Sequence, residues 1–105
     1  MALTRDFKET VRARTARDPA FREALLQEGV ACLLSGDVDA GRAVLRDYIN
    51  ATVGFEELAI LTRKSPKSLM RMFGPGGNPQ ARNLLEIIGH LQKREGVHLE
   101  VRAVR

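Results

Sequence analysis

The sequence has a single cysteine, no tryptophan and few other aromatic residues. With Cys32 alone, the chain can form neither an internal disulfide nor a cysteine-based metal cluster. The longest apolar run, residues 30–34, is far too short to cross a bilayer, and the charged N-terminus shows no apolar signal segment. We therefore expect a cytoplasmic protein without membrane association, and no pattern in the sequence requires a metal or another cofactor.

Acidic residues are absent between Glu57 and Glu86. Residues 1–54 carry eight basic and eight acidic groups, whereas residues 55–105 carry nine and five, so the whole net charge of +4 belongs to the second half. A patch of one sign attracts phosphate and favours association with a polyanion. Considered alone, the same charge is also compatible with a solvated basic face. The basic residues in the acid-free stretch are Arg63, Lys64, Lys67, Arg71 and Arg82.

The length of 105 residues indicates one domain. We divide it into N-terminal helices (1–53), a central helical region (54–95) and a C-terminal strand (96–105). The predicted fold class is all-α, a helical bundle with that one added strand. Ser, Thr, Asp or Asn followed by a helical pattern, often with proline next, marks a helix start. These signals occur at Thr4, Asp18-Pro19, Asp37 or Asp39, Ser65-Pro66, and Asn78-Pro79.

Apolar periodicity predicts which faces of the helices are buried. The helix after Asn78-Pro79 has the strongest stripe and is predicted to be the central buried helix. Arg42 is predicted to lie outside, and Tyr48 to be a core residue with its hydroxyl at the surface. The predicted stripes are Phe21, Leu25, Glu28 and Cys32, widened by Ala24, Ala31 and Leu34, in the second helix, and Leu84, Leu85, Ile87, Ile88 and Leu91 in the last.

Residues 54–74 read as two short helices joined by a tight turn. In the second helix, Leu69, Met72 and Phe73 repeat at three- and four-residue spacing and should face inward. Lys67, Ser68, Met70 and Arg71 are left on the outer face. Two short helices, a turn and a basic outer face are typical of a helix-turn-helix that reads DNA.

The tail alternates apolar and polar residues from Val97 to Ala103, which predicts a β-strand. A lone strand leaves backbone N–H and C=O groups unpaired. Pairing with the same strand of a second copy would satisfy them and gives a two-fold homodimer with Val97, Leu99 and Val101 in the interface. A short tail packed on the body is the alternative.

No catalytic constellation stands out. His90 and His98 lie outside any cluster with metal-ligand spacing, and Glu56-Glu57 opens a helix, where acids are favoured by the helix dipole. We therefore expect no enzymatic activity. A protein-interaction module that uses a helix-turn-helix scaffold without binding DNA is the remaining alternative.

Several segments together resemble a known family. Glu57-Leu58-Ala59, then Ser65, Leu69 and Arg71, and the restart at Asn78-Pro79 resemble the phage-repressor type of helix-turn-helix. Over nearly the whole chain the sequence is similar to the addiction-module antidote proteins, the HigA-like antitoxins and prophage DNA-binding proteins of bacteria. The segments that carry this similarity are residues 4–10, 45–50 and 66–72.

The resemblance implies a sequence-specific repressor that binds an inverted-repeat operator in double-stranded DNA beside its own operon. It also implies a partner toxin of the RelE or HigB type, which the protein neutralises. The family commonly has glycine in the turn where this chain has Arg63. Arg63 must then accept a left-handed backbone, at roughly 1 kcal/mol of strain, or form a different turn.

In this kind of fold, the second helix enters the major groove with its N-terminal part leading. Lys67 and Arg71 are the predicted base-reading residues, because either cation can donate to guanine O6 and N7. Ser68 and Met70 are placed to touch base edges or a thymine methyl group. The turn and the helix N-termini are expected to hold phosphates. The predicted DNA-contacting residues are Lys64, Ser65, Pro66, Lys67, Ser68, Met70, Arg71, Asn78, Gln80 and Arg82.

Overall fold

The computed structural model describes residues 5–105, with side chains from Glu9 onward. Within that range the chain forms six α-helices and no strand, so the all-α architecture is confirmed. None of the described helices is long and apolar enough to cross a membrane. The predicted cap at Thr4 lies outside the described residues. The helices are α1 Arg5–Arg17, α2 Pro19–Leu34, α3 Val38–Ala51, α4 Phe55–Thr62, α5 Pro66–Phe73 and α6 Ala81–Glu95.

Local capping sets several helix ends as predicted. Asp18 and Asp37 accept hydrogen bonds from backbone N–H groups in the first turns of α2 and α3. The hydroxyl of Ser65 accepts from the N–H of Ser68 at 3.0 Å and begins α5. At the other end of the chain, Gly96 adopts a left-handed conformation with φ 75° and terminates α6.

The start of α6 differs from the prediction. The helix begins at Ala81 with Gln80 in the N-cap position, two residues after the predicted Asn78-Pro79 start, and the Gln80 side chain makes no capping bond. The local signal at Asn78-Pro79 therefore does not begin the helix, whose apolar face buries Ile87 and Leu91 further along.

The sequence predicted α6 as the central helix, but the centre of the molecule is α3. Helix α3 packs against α1, α2 and α5, whereas the main helix contact of α6 is with α4. Leu85, which the periodicity placed in the buried stripe, is 64% exposed because only one face of α6 meets the core. The buried apolar residues form one cluster of Leu26, Leu45, Tyr48, Ile49, Val53, Phe55, Leu58, Ala59, Leu69, Phe73, Ile87, Ile88 and Leu91.

The buried face of α2 also differs from the predicted stripe. Helix α2 buries Leu26 and Gly29, while Glu28, Ala31 and Leu34 are exposed. Gly29 faces α3, where Gly41 faces α2 in turn. A Cβ atom on either glycine would lie within 2.8 Å of a leucine side chain on the facing helix. The close approach of the two helices at these glycines, which periodicity does not encode, selects the buried face.

Residues 97–105 follow α6 without forming helix or strand. Val97 and Leu99 pack against the core. The N–H of Leu99 donates to the side-chain oxygen of Gln92 at 2.8 Å. Beyond this point the tail is exposed, as at Val101, which is 82% accessible. The described part of the single chain offers no neighbouring strand, so pairing across a dimer stays a prediction.

Candidate nucleic-acid interface

The connection between α4 and α5 is a tight turn of residues 63–65. Arg63 takes the left-handed conformation with φ 57° and ψ 36°. The following N–H, from Lys64, donates back to the carbonyl of Ala59 at 3.1 Å and closes the end of α4. Of the two alternatives for this turn, the chain therefore uses the left-handed backbone, which an L-residue adopts at a cost of about 1 kcal/mol.

The inner face of α5 is firmly anchored. Leu69 and Phe73 are 0% and 1% exposed. The Phe73 ring packs against Phe55 of α4, with ring centroids 6.1 Å apart and planes inclined at 51°. Such tilted aromatic pairs are favourable beyond the area they bury. These residues anchor the middle and the C-terminal end of α5, and the ring pair holds that end against α4.

The outer face of α5 carries the side chains that the periodicity placed there. Lys67, Ser68, Met70 and Arg71 are all exposed, which confirms this division of the helix. Neither Lys67 nor Arg71 has an ion pair or side-chain hydrogen bond within the part of the chain that the structure describes. Two unpaired cations one helical turn apart are therefore available to a ligand outside the molecule.

The first turn of α6 lies beside the turn between α4 and α5. The Nζ atom of Lys64, which is half-buried, is 3.2 Å from Oδ1 of Asn83. Arg82 is exposed and pairs with Glu86 at 3.5 Å, one turn along the same exposed surface. Exposed pairs of this kind contribute little to stability and are readily exchanged for another anion. Lys64 of the turn thus contacts the residue that follows Arg82 in α6.

A buried arginine behind α5 is the residue that sequence reasoning missed. Arg42 was predicted to lie outside, yet it is 5% exposed. Its Nη1 atom donates to the carbonyls of Met72 and Gly74 at 3.2 and 2.7 Å, and its Nη2 atom to Asp39 at 2.7 Å. The C-terminal end of a helix carries partial negative charge, which a cation stabilises. Arg42 therefore holds the end of α5 to α3.

The glycine-rich loop after α5 packs directly on this guanidinium. A Cβ atom on Gly77 would lie 2.8 Å from Nη1 of Arg42 and 2.3 Å from the carbonyl oxygen of Arg71. Only glycine fits at such a distance from backbone atoms. The loop is therefore shaped by Arg42, whose partners lie some thirty residues further along the chain, and no local pattern could have revealed them.

A second buried polar cluster joins α2, α3 and α6 through Glu95. The hydroxyl of Tyr48 donates to the Glu95 carboxylate, and so does the Nε atom of Arg22, at 3.0 Å. The hydroxyl of Tyr48 was predicted to lie at the surface. This prediction is wrong, because the residue is only 2% exposed. Burial raises the pKa of Tyr48 above its usual value, and the hydrogen bond and charge of Glu95 raise it further. These hydrogen bonds tie α2 and α3 to the end of α6.

The structure places the predicted contact residues in three groups. Lys64 and Ser65 belong to the connection between α4 and α5, and Gln80 and Arg82 lie at the start of α6. The remaining group lies in the first two helical turns of α5 and consists of Pro66, Lys67, Ser68, Met70 and Arg71. Asn78 lies in the preceding loop, outside any helix N-terminus.

In comparisons with known proteins, no family model, no curated protein and no solved structure matches this chain.

Proposed function

We propose that this protein is a sequence-specific, DNA-binding transcriptional regulator. The observation that carries the proposal is α5, a helix whose outer side chains are exposed and unpaired while Leu69 and Phe73 anchor its inner face. A rigidly mounted helix with a cationic outer face, preceded by a second helix and a short turn, suits insertion into the major groove.

Base reading is assigned to the outer face of α5. Lys67 lies in its first turn and Arg71 one turn later, and both are exposed. Either cation can donate to O6 and N7 of guanine, and a good bidentate contact discriminates against the wrong base by about 1–3 kcal/mol. Ser68 can bond base edges, and the apolar Met70 suits a thymine methyl group.

Phosphate binding is assigned to the residues around α5. Lys64, which contacts Asn83, and Arg82 supply charge, and Ser65, Asn78 and Gln80 supply polar groups at or before helix starts. Helix N-termini attract anions through their unpaired N–H groups and the helix dipole. These contacts would set the position of the protein on the duplex without carrying sequence information.

A two-fold homodimer extends the proposal. One short helix reads only a few base pairs, whereas a dimer presents two reading helices about one DNA turn apart and matches an inverted repeat. The tail residues Val97, Leu99 and Val101 remain the proposed contact between the copies, because the backbone of the tail beyond Leu99 is unpaired.

The resemblance to the addiction-module antidote proteins extends the proposal to a toxin partner. The protein would repress its own promoter and neutralise a RelE- or HigB-type toxin encoded beside it. This part rests on the resemblance alone. Its test is co-expression with the neighbouring reading frame, which should restore growth and yield a complex on purification. A neighbour that is harmless when expressed alone would contradict it.

The DNA-binding proposal is tested by a mobility-shift assay with the upstream DNA of the protein's own gene, comparing wild type, Arg71→Ala and Arg12→Ala. Arg71→Ala should weaken specific binding by about 1–3 kcal/mol and relax the preference at one base pair, because it removes a base contact. Arg12 is an exposed cation on α1, so Arg12→Ala is a control with the same loss of charge and should bind almost as wild type.

The variant Lys64→Ala tests a phosphate contact, in contrast to the base contact that Arg71→Ala removes. It should weaken binding to all sequences alike and lower the salt dependence by about one unit of slope, as expected for a phosphate contact. If Arg71→Ala behaves in the same way, Arg71 is a phosphate contact and not a base reader. If the wild-type protein binds no DNA at low salt, the interaction-module alternative replaces the proposal.

A further inference from the structure

The C-terminal tail leaves a run of backbone groups without partners. The N–H groups of Val97 and Leu99 both bond to Gln92, one to its backbone carbonyl and one to its side chain. From residue 100 to residue 105, the N–H and C=O groups make no hydrogen bond within the described chain. These residues are also exposed. The tail therefore has one attached end and one free end.

The attachment at Gln92 defines which edge of the tail is free. In an extended chain, successive residues direct their backbone groups to opposite edges. Since the N–H groups of Val97 and Leu99 point toward α6, the even-numbered residues 98, 100, 102 and 104 turn theirs to the opposite edge. That edge is open to a second strand.

The tail borders a groove whose lining combines apolar side chains with polar ones, among them Glu100 and Arg102. This open groove, of about 500 Å³, lies between α2, α6 and the tail. Leu34, at its rim, is 65% exposed, and Val101 is 82% exposed. A second strand paired with the tail would shield part of Val101 from water.

We propose that two copies of this chain pair through antiparallel C-terminal strands, in the register that places Val101 of one copy opposite Val101 of the other. In this register Glu100 lies opposite Arg102 of the second copy, and two-fold symmetry repeats the pair. Neither side chain has an ion pair within residues 9–105, so both are free to form it. Leu99 and Ala103 then meet on the apolar face. Opposite charges directly across a strand pair stabilise it, and like charges destabilise it.

The neighbouring registers are less favourable. A two-residue shift of the pairing in one direction sets Glu100 opposite Glu100 of the second copy, and a shift in the other direction sets Arg102 opposite Arg102. A one-residue shift places apolar side chains opposite polar ones and loses the common apolar face. A larger shift, centred on Leu99, pairs Glu100 with His98 but leaves most of the free segment unpaired. The Val101-centred register alone combines the charge pairs with the longest run of paired residues.

The proposal rests on the dimer of the proposed function but not on DNA binding, and it is tested without DNA. The association of wild type, Glu100→Arg, Arg102→Glu and the double variant is measured by sedimentation equilibrium. Each single variant places like charges together at both symmetric positions, so its dimer should be weakened about tenfold or more. The double variant restores both pairs and should dimerise as wild type does.

Mixing the two single variants gives the sharpest result. The mixture should form heterodimers, visible by native mass spectrometry, because each partner then supplies the charge that the other lacks. Glu23→Arg, the same change at an exposed site on α2, should leave association unaltered. Circular dichroism confirms that each variant is folded.

Three results would overturn the proposal. A wild-type protein that is monomeric shows that the tails do not pair. A dimer that both single variants leave intact shows that the register or the interface is another one. Single variants that are both monomeric but fail to associate on mixing show that the effect is not the proposed charge pairing. A dimer that behaves as proposed but binds no operator would instead refute the DNA-binding function and leave this interface standing.

Discussion

Tyr48 is the only tyrosine of the chain, and the sequence has no tryptophan. Its hydroxyl is buried against the carboxylate of Glu95, which also receives Arg22. Ionising the phenol here would place a second negative charge beside the carboxylate of Glu95, on a side chain that is almost fully buried. The folded protein therefore binds the phenolic proton more tightly than the unfolded chain does.

The raised pKa of the Tyr48 phenol predicts how the stability of the protein depends on pH. Since the pKa of Tyr48 is raised by folding, the stabilisation is complete below the unfolded value of about 10 and is lost as the pH rises through the folded value. A spectrophotometric titration, in which the single tyrosine is the only contributor to tyrosinate absorbance, should give a higher midpoint in buffer than in concentrated urea.

Tyr48→Phe is the control for this titration. It removes a hydrogen bond to a charged group, so it should cost about 1.5–3 kcal/mol of the free energy of unfolding at neutral pH. The difference from wild type should shrink in alkali, where wild type loses its advantage. Equal tyrosinate midpoints in buffer and urea would contradict the buried contact with Glu95.

At the scale of elements, the position of α5 depends on both of its ends. Ser65 caps its start, and the guanidinium of Arg42 in α3 binds the carbonyls at and after its end. The Nε atom of Arg42 is buried without a partner, so the site holds an arginine whose hydrogen bonding is almost but not fully satisfied. The contacts to the end of α5 must offset that cost.

Arg42→Met should therefore destabilise the protein strongly. Methionine fills a similar volume but leaves the carbonyls of Met72 and Gly74 without this donor, and we expect a loss of about 2–4 kcal/mol in the free energy of unfolding, measured with urea. The matched control is Arg46→Met on the same helix. Arg46 makes no side-chain hydrogen bond or ion pair among the described residues, so its replacement should cost about 0.5 kcal/mol or less. Equal stabilities of the two variants would show that the bonds to α5 contribute nothing net.

At the scale of the whole molecule, the proposed dimer sets the form of the operator. Two copies related by a two-fold axis present two α5 helices in opposite orientations, and their separation on DNA should be about one helical turn, roughly 34 Å. Half-sites of an inverted repeat then lie about 10 base pairs apart from centre to centre.

A footprinting experiment on the upstream DNA tests this arrangement. Protection should be symmetric about the centre of an inverted repeat, and inserting half a turn, about five base pairs, between the half-sites should weaken binding because the two helices then face different sides of the duplex. Protection of one asymmetric half-site, unaffected by the insertion, would count against a two-fold dimer on the DNA.

The helical class, most helix starts and the exposed face of α5 could be predicted from the sequence, because each depends on neighbours within about one helical turn. Asp18, Asp37 and Ser65 bond N–H groups two or three residues away, and the inward and outward positions of α5 follow from its period. The left-handed turn at Arg63 was one of two local alternatives, and the conformation of the folded chain decided between them.

Tertiary structure alone decided which helix is central and what lies behind α5. Gly29 and Gly41 select the buried face of α2 through the approach of a second helix. Arg42 and Tyr48 find partners 30 to 47 residues away, and nothing in the local pattern distinguishes such an arginine from an exposed one. Hydrogen bonding along a helix is local and can be read from the order of residues, whereas burial is a property of the space between helices and exists only once they have packed.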